Sequence, residues 1–153
     1  MNSKYISFTA IGLWAVTIAA IAFLFFKGNA KTAEDGRSEV MLTHSEKVMV
    51  LAEMRQMLAA AHGVLEGLNA NDMAKVESAA LSGGTAMMID LNPAFMMKLP
   101  AGFKQQGVNV HKYFDSIAEA AKNGKSKDEV LNMITVQMGS CVQCHAAFQI
   151  SVE

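Results

Sequence analysis

The sequence predicts an all-α protein: an antiparallel four-helix bundle with a Cys-x-x-Cys-His motif near its C-terminal end, preceded by one N-terminal transmembrane helix. Three observations predict this architecture. Residues 5–26 contain no charged side chain, and both prolines lie in the short stretch 93–100. The remaining residues include few runs of β-branched side chains, which favours helix over strand.

The apolar run 5–26 is long enough to cross a bilayer. As a helix it spans about 33 Å, against a hydrocarbon core of about 30 Å. A cleaved signal peptide has an apolar core of roughly 7–15 residues, so we expect residues 1–27 to be an uncleaved signal-anchor. Removal of a signal near residues 28–30 is the alternative. The flanking lysines Lys4 and Lys27 do not fix the orientation.

Two further segments follow the span. Residues 28–37 are polar, contain two glycines and lack an apolar period, which predicts a flexible tether. Residues 38–153 are expected to form one helical domain. The part beyond the span holds all 14 acidic side chains and all but two of the 13 basic ones. It therefore has no basic footprint for nucleic acid, and we expect no nucleic-acid partner.

Four helices are predicted in this domain. Glycine, asparagine and proline residues mark the helix ends. They divide the domain into helices over about 38–68, 72–88, 103–122 and 126–149. Ser126 and Glu129 form a capping box before the last helix. Gly83 and Gly84 indicate that the second helix ends early or loosens there. Short links between helices favour an up-down bundle.

The segment Cys141-Val142-Gln143-Cys144-His145 is the strongest chemical signal. A dithiol redox motif usually opens a helix beside a βαβ pattern, and no strand pattern is visible here. A zinc site needs two further ligands, and the other three histidines are scattered. Adjacent-turn cysteines on one helix make a poor structural disulfide. The pentapeptide itself signals covalent haem attachment, so one haem c is the expected cofactor.

Helix geometry suits that expectation. Cys141, Cys144 and His145 are three and four residues apart and project from one helix face. The thiols would form thioethers to the two vinyl groups, and the imidazole would reach the iron. The residues after His145 offer no sixth ligand, so it must come from upstream.

A membrane-anchored helical bundle that ends in this pentapeptide, followed by Phe148, resembles the class II c-type cytochromes, the cytochrome c-prime group. The resemblance covers about residues 38–151. It implies that His145 is the proximal iron ligand and that a residue of the first helix faces the distal side. That residue is methionine in the electron carriers and a non-ligating apolar side chain in the gas-binding members.

The first helix offers three distal candidates. With 100° per residue, Met54 lies at the centre of an apolar arc that includes Val50, Leu51, Leu58, Ala61, Leu65 and Leu68. Met54 is therefore the expected metal ligand together with His145. A gap-free match to the family's first helix points instead to Leu51 and an open iron site. Met57, at the edge of the arc, is the third candidate.

Other residues are assigned to cofactor binding. Arg55 would pair with a haem propionate, and Phe114 and Phe148 would pack against the porphyrin beside Cys141 and Cys144. Simple surface exposure of Arg55 and core packing of the two phenylalanines are the alternatives. His44, His62 and His111 are expected to be solvated or partly buried rather than ligands.

The expected function is that of a membrane-anchored periplasmic c-type cytochrome that carries single electrons and is not an enzyme. Haem c is attached outside the cytoplasm, which would place the domain in the periplasm and the span in a bacterial inner membrane. Expected partners are membrane redox complexes or periplasmic electron donors and acceptors, with a homodimer as a further possibility. Binding of nitric oxide or carbon monoxide at an open distal site beside Leu51 is the alternative function.

Overall fold

A computed structural model describes residues 3–88 and 92–153, with side chains described from residue 7 onward. These residues form helices α1 Ser3–Lys27, α2 His44–Ala70, α3 Met73–Leu81, α4 Pro93–Lys98, α5 Ala101–Lys122 and α6 Lys127–Ala147. A 3-10 turn covers Thr85–Met87, and the strands are β1 Ala30–Thr32, β2 Ser38–Leu42 and β3 Phe148–Val152. The prediction of a mostly helical chain with an apolar N-terminal helix is confirmed.

Two helices in the described residues are long and apolar enough to cross a membrane by length and composition, Ser7–Lys27 and His44–Ala70. The first is entirely unburied, and its large side chains, such as Phe8 and Trp14, are exposed. The second is α2, which packs on α3 and α6. Helix α1 is therefore the candidate membrane span or signal sequence.

Helix α2 begins later than predicted, because Thr43 starts it with a capping box. The Thr43 hydroxyl accepts a hydrogen bond from the Glu46 N–H, and the Glu46 carboxylate accepts one from the Thr43 N–H at 2.8 Å. The predicted helical residues 38–42 instead form β2, where Val40 and Leu42 are completely buried. Alternate burial of this kind is typical of a half-buried strand.

The residues after α6 also differ from the expected helix. Helix α6 ends at Ala147, and β3 follows directly and pairs with β2 in parallel, with Val40 opposite Ile150. Strand β1 pairs with β2 on the other side, antiparallel. Part of the predicted tether 28–37 is thus the edge strand of a three-stranded sheet within the described residues.

The domain has two apolar clusters. Helices α2, α3, α5 and α6 surround the first, which includes Val64, Val76, Phe114, Ile117, Val130 and Ile134. The second lies between the sheet, the start of α2 and α4. It consists of Val40, Leu42, Val50 and Leu99, with Met54, Phe95, Met96, Phe103, Phe148 and Ile150 packed against it.

Direct contacts join α1 to the domain. Lys104 of α5 donates hydrogen bonds to the carbonyls of Phe25 at 2.9 Å and Met96 at 3.2 Å, so it binds the negative ends of two helices. Gly28 has φ +62°, and a Cβ there would lie 2.5 Å from the carbonyl carbon of Leu99. The Asn29 N–H donates to the Lys98 carbonyl at 2.6 Å. The helix therefore enters the domain through a fixed turn.

Candidate functional site

Both thiols lie near the C-terminal end of α6. They continue its buried face to the point where that face becomes accessible to solvent. The capping box of Ser126 and Glu129 starts this helix as predicted. Val130, Ile134 and Gln137 then form its buried face. Cys141 and Cys144 continue the same face, four and seven residues after Gln137, yet Cys141 is exposed and Cys144 is half-buried. Both cysteines are free thiols in this structure.

The environment of the thiols favours their protonated form. The Cys141 Sγ donates a hydrogen bond to the Gln137 carbonyl at 3.6 Å. Partial burial raises the pKa of Cys141, and burial together with the neighbouring Cys141 raises the pKa of Cys144. Since the thiolate is the nucleophile, a raised thiol pKa lowers the reactive fraction of each cysteine at neutral pH.

The backbone around the thiols is held by the sheet. The Phe148 N–H caps α6 by donating to the Cys144 carbonyl. Arg37, at the turn before β2, donates from Nη1 to the His145 carbonyl at 3.3 Å and from Nη2 to Gln149 Oε1 at 2.6 Å. The His145 side chain is exposed. The last turn of α6 is therefore fixed, while its sulfur and imidazole groups face a solvent-accessible region.

A polar cavity of about 460 Å³ lies beside this turn, between α5 and α6. Ser140 and Gln143, which precede the two cysteines, line its α6 side. Its other lining residues are Gln106, Asn109, Val110, Lys112, Tyr113, Ser116 and Gln137. Gln106 Oε1 is buried and has no hydrogen-bond partner among the described residues. An unpaired acceptor in a polar cavity of this size fits a ligand or ordered water.

The first-helix candidates do not converge on this site. Met54 is half-buried and packs against the second cluster, and Met57 is half-buried against the first. Leu51 is half-buried and Arg55 is exposed.

The face of α2 that is buried also differs from the predicted arc. Leu58 and Leu65 are 67% and 36% exposed, whereas Ala60 and Val64 are buried. The buried face is rotated by about 70° from Met54, at 100° per residue. The arc was misplaced because it weighted leucines, and the buried face here consists largely of alanine, valine and glycine.

The two phenylalanines assigned to porphyrin packing belong to different clusters. Phe114 is 1% exposed in the first cluster, and Phe148 packs edge-on against Phe103 at 5.5 Å in the second. The core-packing alternative accounts for both contacts.

The prediction that this chain binds a haem c is wrong. No group of three or more His, Cys, Asp or Glu side chains that could hold a metal ion occurs in residues 3–88 and 92–153. Met54 belongs to the cluster under the sheet and the imidazole of His145 is exposed. The two cysteines, three residues apart, are free thiols.

Sequence reasoning missed the contact between a buried histidine and a partly buried carboxylate. His111 is 3% exposed, with Nε2 3.1 Å from Glu53 Oε1 and Nδ1 2.8 Å from the Gly83 carbonyl. The Glu53 carboxylate raises the pKa of His111 most, against the opposing effect of burial. Glu53 occupies the buried face of α2, and an acidic residue at such a position indicates a buried basic partner. Because the predicted apolar arc was centred on Met54, Glu53 was not recognised as a residue of the buried face.

His44 and His62 are exposed, as expected. His62 is exposed beside Glu66 at 3.8 Å, and His44 opens α2.

Comparison with known proteins identifies no relative: no family model, curated protein or solved structure matches the chain.

Proposed function

We propose that the chain is a membrane-anchored electron carrier whose redox group is the thiol pair Cys141 and Cys144. The observation that carries this proposal is the placement of both thiols on adjacent turns of one helix face, one exposed and one half-buried. Residues three apart on a helix have Cα atoms about 5 Å apart, within the range that a disulfide spans. A disulfide within a helix is strained, and strained, exposed disulfides are the ones that exchange readily.

The exchange is a two-electron reaction with a disulfide of a partner protein. The thiolate of exposed Cys141 attacks one partner sulfur, and the other partner sulfur leaves and takes up a proton. Cys144 then loses its proton and attacks the Cys141 sulfur, which releases the second partner thiol. The partner disulfide is reduced by two electrons, and the carrier ends as the Cys141–Cys144 disulfide.

One-electron transfer and gas binding both require a haem, so neither is the function proposed for this chain. The part of the expected resemblance to class II c-type cytochromes that this proposal keeps is the four-helix bundle. Contacts between α2 and α3, α3 and α5, α5 and α6, and α2 and α6 support an antiparallel four-helix bundle. The sheet and α4 would then cover the end of the bundle nearest α1.

In this proposal α1 spans a bacterial inner membrane once and the domain lies in the periplasm. A thiol–disulfide carrier suits that compartment, because disulfides form and persist in oxidising surroundings. Its partners are membrane redox complexes or periplasmic donors and acceptors that carry a reactive disulfide or dithiol. The chain acts as a carrier rather than as an enzyme, and a homodimer is compatible with this role.

Thiol trapping of the full-length protein tests the proposal. After equilibration with glutathione mixtures, unreacted thiols are blocked with N-ethylmaleimide and the intact mass is measured. We expect a species that lacks two hydrogens and takes up no label, and we expect it to disappear in both Cys141→Ser and Cys144→Ser. Ser140→Ala serves as the matched control and retains it.

Two results would overturn the proposal. One is the absence of an intramolecular disulfide at every glutathione ratio. The other is a purified protein with covalently added mass and Soret absorption, which would show that the chain carries a haem.

A further inference from the structure

A second cavity lies where α1 leaves the membrane, and its walls are basic. It measures about 280 Å³ and is lined by Lys27, Ala30, Lys31, Thr32, Gly36, Arg37 and Ser38. Three of these residues are cationic and none is acidic. The Thr32 and Ser38 hydroxyls make no hydrogen bond within the described residues. From this lining we propose that the cavity binds a phosphate group, and that an anionic phospholipid headgroup supplies it.

Two of the three cations at the cavity are paired with carboxylates that lie outside it. Lys31 is paired with Glu39 at 3.1 Å and Arg37 with Asp35 at 2.7 Å, and neither carboxylate lines the cavity. Lys27 forms no ion pair within residues 3–88 and 92–153, and its Nζ lies 6.0 Å from the Phe23 ring. Lysine donors and hydroxyls bind phosphate oxygens, so Lys27, Lys31 and the two hydroxyls are the groups offered here. Arg37 already donates hydrogen bonds to Asp35, the His145 carbonyl and Gln149.

The height of the cavity matches the headgroup layer. The apolar helix Ser7–Lys27 is about 31 Å long at 1.5 Å per residue, which equals one hydrocarbon core. Lys27 therefore lies at the boundary, and β1 follows within the next few residues. The headgroup layers add about 5–7 Å on each side, so phospholipid phosphates lie at the level of this cavity.

The junction keeps the cavity at that height. Lys104 binds the Phe25 carbonyl, with its Nζ 3.6 Å from the centre of the Phe25 ring, and Asn29 is hydrogen-bonded to Lys98. The Asn29 side chain also donates to Glu153 Oε1 at 2.6 Å. Because these contacts fix the turn after α1, the cavity is presented to the bilayer surface in one orientation. This placement rests on the proposed membrane span of α1 and is independent of the thiol chemistry.

Lipid retention by the full-length protein tests the proposal. The protein is placed in nanodiscs of phosphatidylcholine, alone or mixed equally with phosphatidylglycerol, and retained lipids are counted by native mass spectrometry. We expect preferential retention of phosphatidylglycerol. The Lys27→Gln/Lys31→Gln double variant should weaken it by roughly fivefold for each lysine removed. The control Lys75→Gln/Lys127→Gln removes two exposed lysines elsewhere and should retain it.

Titration of inorganic phosphate in phosphatidylcholine nanodiscs separates the two sources of the ligand. Retained phosphatidylglycerol that is lost only in the Lys27/Lys31 variant supports a lipid phosphate. Phosphate binding that this variant alone loses, without lipid preference, supports the same pocket with a free anion as its ligand. Equal retention of both lipids with no phosphate binding overturns the proposal. An equal loss of phosphatidylglycerol retention in the Lys75→Gln/Lys127→Gln control also overturns it. Circular dichroism confirms that both variants are folded.

Discussion

We expect the contact between buried His111 and partly buried Glu53 to make the stability of the domain depend on pH. Each ring nitrogen of His111 faces an acceptor, Glu53 Oε1 and the Gly83 carbonyl, so only the doubly protonated ring donates to both. The pKa of His111 is raised. Its stabilising contribution is therefore complete below the unfolded pKa of about 6.5 and is lost as pH rises through the higher folded value.

The Glu53→Gln substitution tests this pair. A glutamine amide donates to the neutral ring, so the hydrogen bonds remain while the charge is lost. At pH 6 we expect a loss of about 2–3 kcal/mol in the free energy of unfolding, less than for a fully buried pair because Glu53 retains some exposure. The wild-type protein should lose up to about 1.4 kcal/mol per pH unit between the two pKa values, and the variant should not.

Urea unfolding of the full-length protein in detergent, followed by circular dichroism from pH 5 to 9, measures both quantities. Helix α1 contributes a constant signal in the micelle. The exposed His44, His62 and His145 are present in both proteins and cancel in the comparison. An equal pH slope in wild type and Glu53→Gln would refute the assignment of the proton to His111.

Three further predictions concern other parts of the fold. Because the pKa of both thiols is raised, alkylation by iodoacetamide should be slow at pH 7 and should accelerate towards pH 9 and above; full reaction at pH 7 would contradict the burial effect. Thr43→Ala removes one half of a capping box and should cost about 1 kcal/mol in urea unfolding, whereas Thr43→Ser should cost little. Gly28→Ala should disrupt the α1 junction, because its Cβ would meet the Leu99–Pro100 backbone; hydrogen exchange at β1 should rise, and exchange in α6, away from the junction, serves as the control.

The helices were largely predictable because their signals are local. The capping box at Ser126, the Gly83–Gly84 break and the uncharged run each act within a few residues, and each appears where it was expected. Strands β2 and β3 were not predicted, because their pairing joins segments about 110 residues apart in the sequence. Their short apolar runs also follow or precede helical sequence without a Gly or Pro boundary.

The candidate site was only partly predictable. The proximity of Cys141, Cys144 and His145 follows from helix spacing and is present. The assignment of Met54 depended on the rotation of α2, which packing against α3 and α6 determines. No sequence pattern singles out Arg37, yet it donates a hydrogen bond to the His145 carbonyl 108 residues further along the chain. Contacts of this kind depend on tertiary structure and leave no periodic pattern.

The parallel pairing of β2 with β3 constrains the order in which this protein matures. Strand β2 is synthesised soon after the apolar helix α1, but its parallel partner β3 is synthesised more than a hundred residues later. During that interval the apolar side chains of Val40 and Leu42 lack the cover that Phe148 and Ile150 provide in the folded protein. Contacts of such long sequence separation slow folding and expose strand edges to mispairing. A factor that shields this segment until synthesis ends would therefore raise the yield of folded protein.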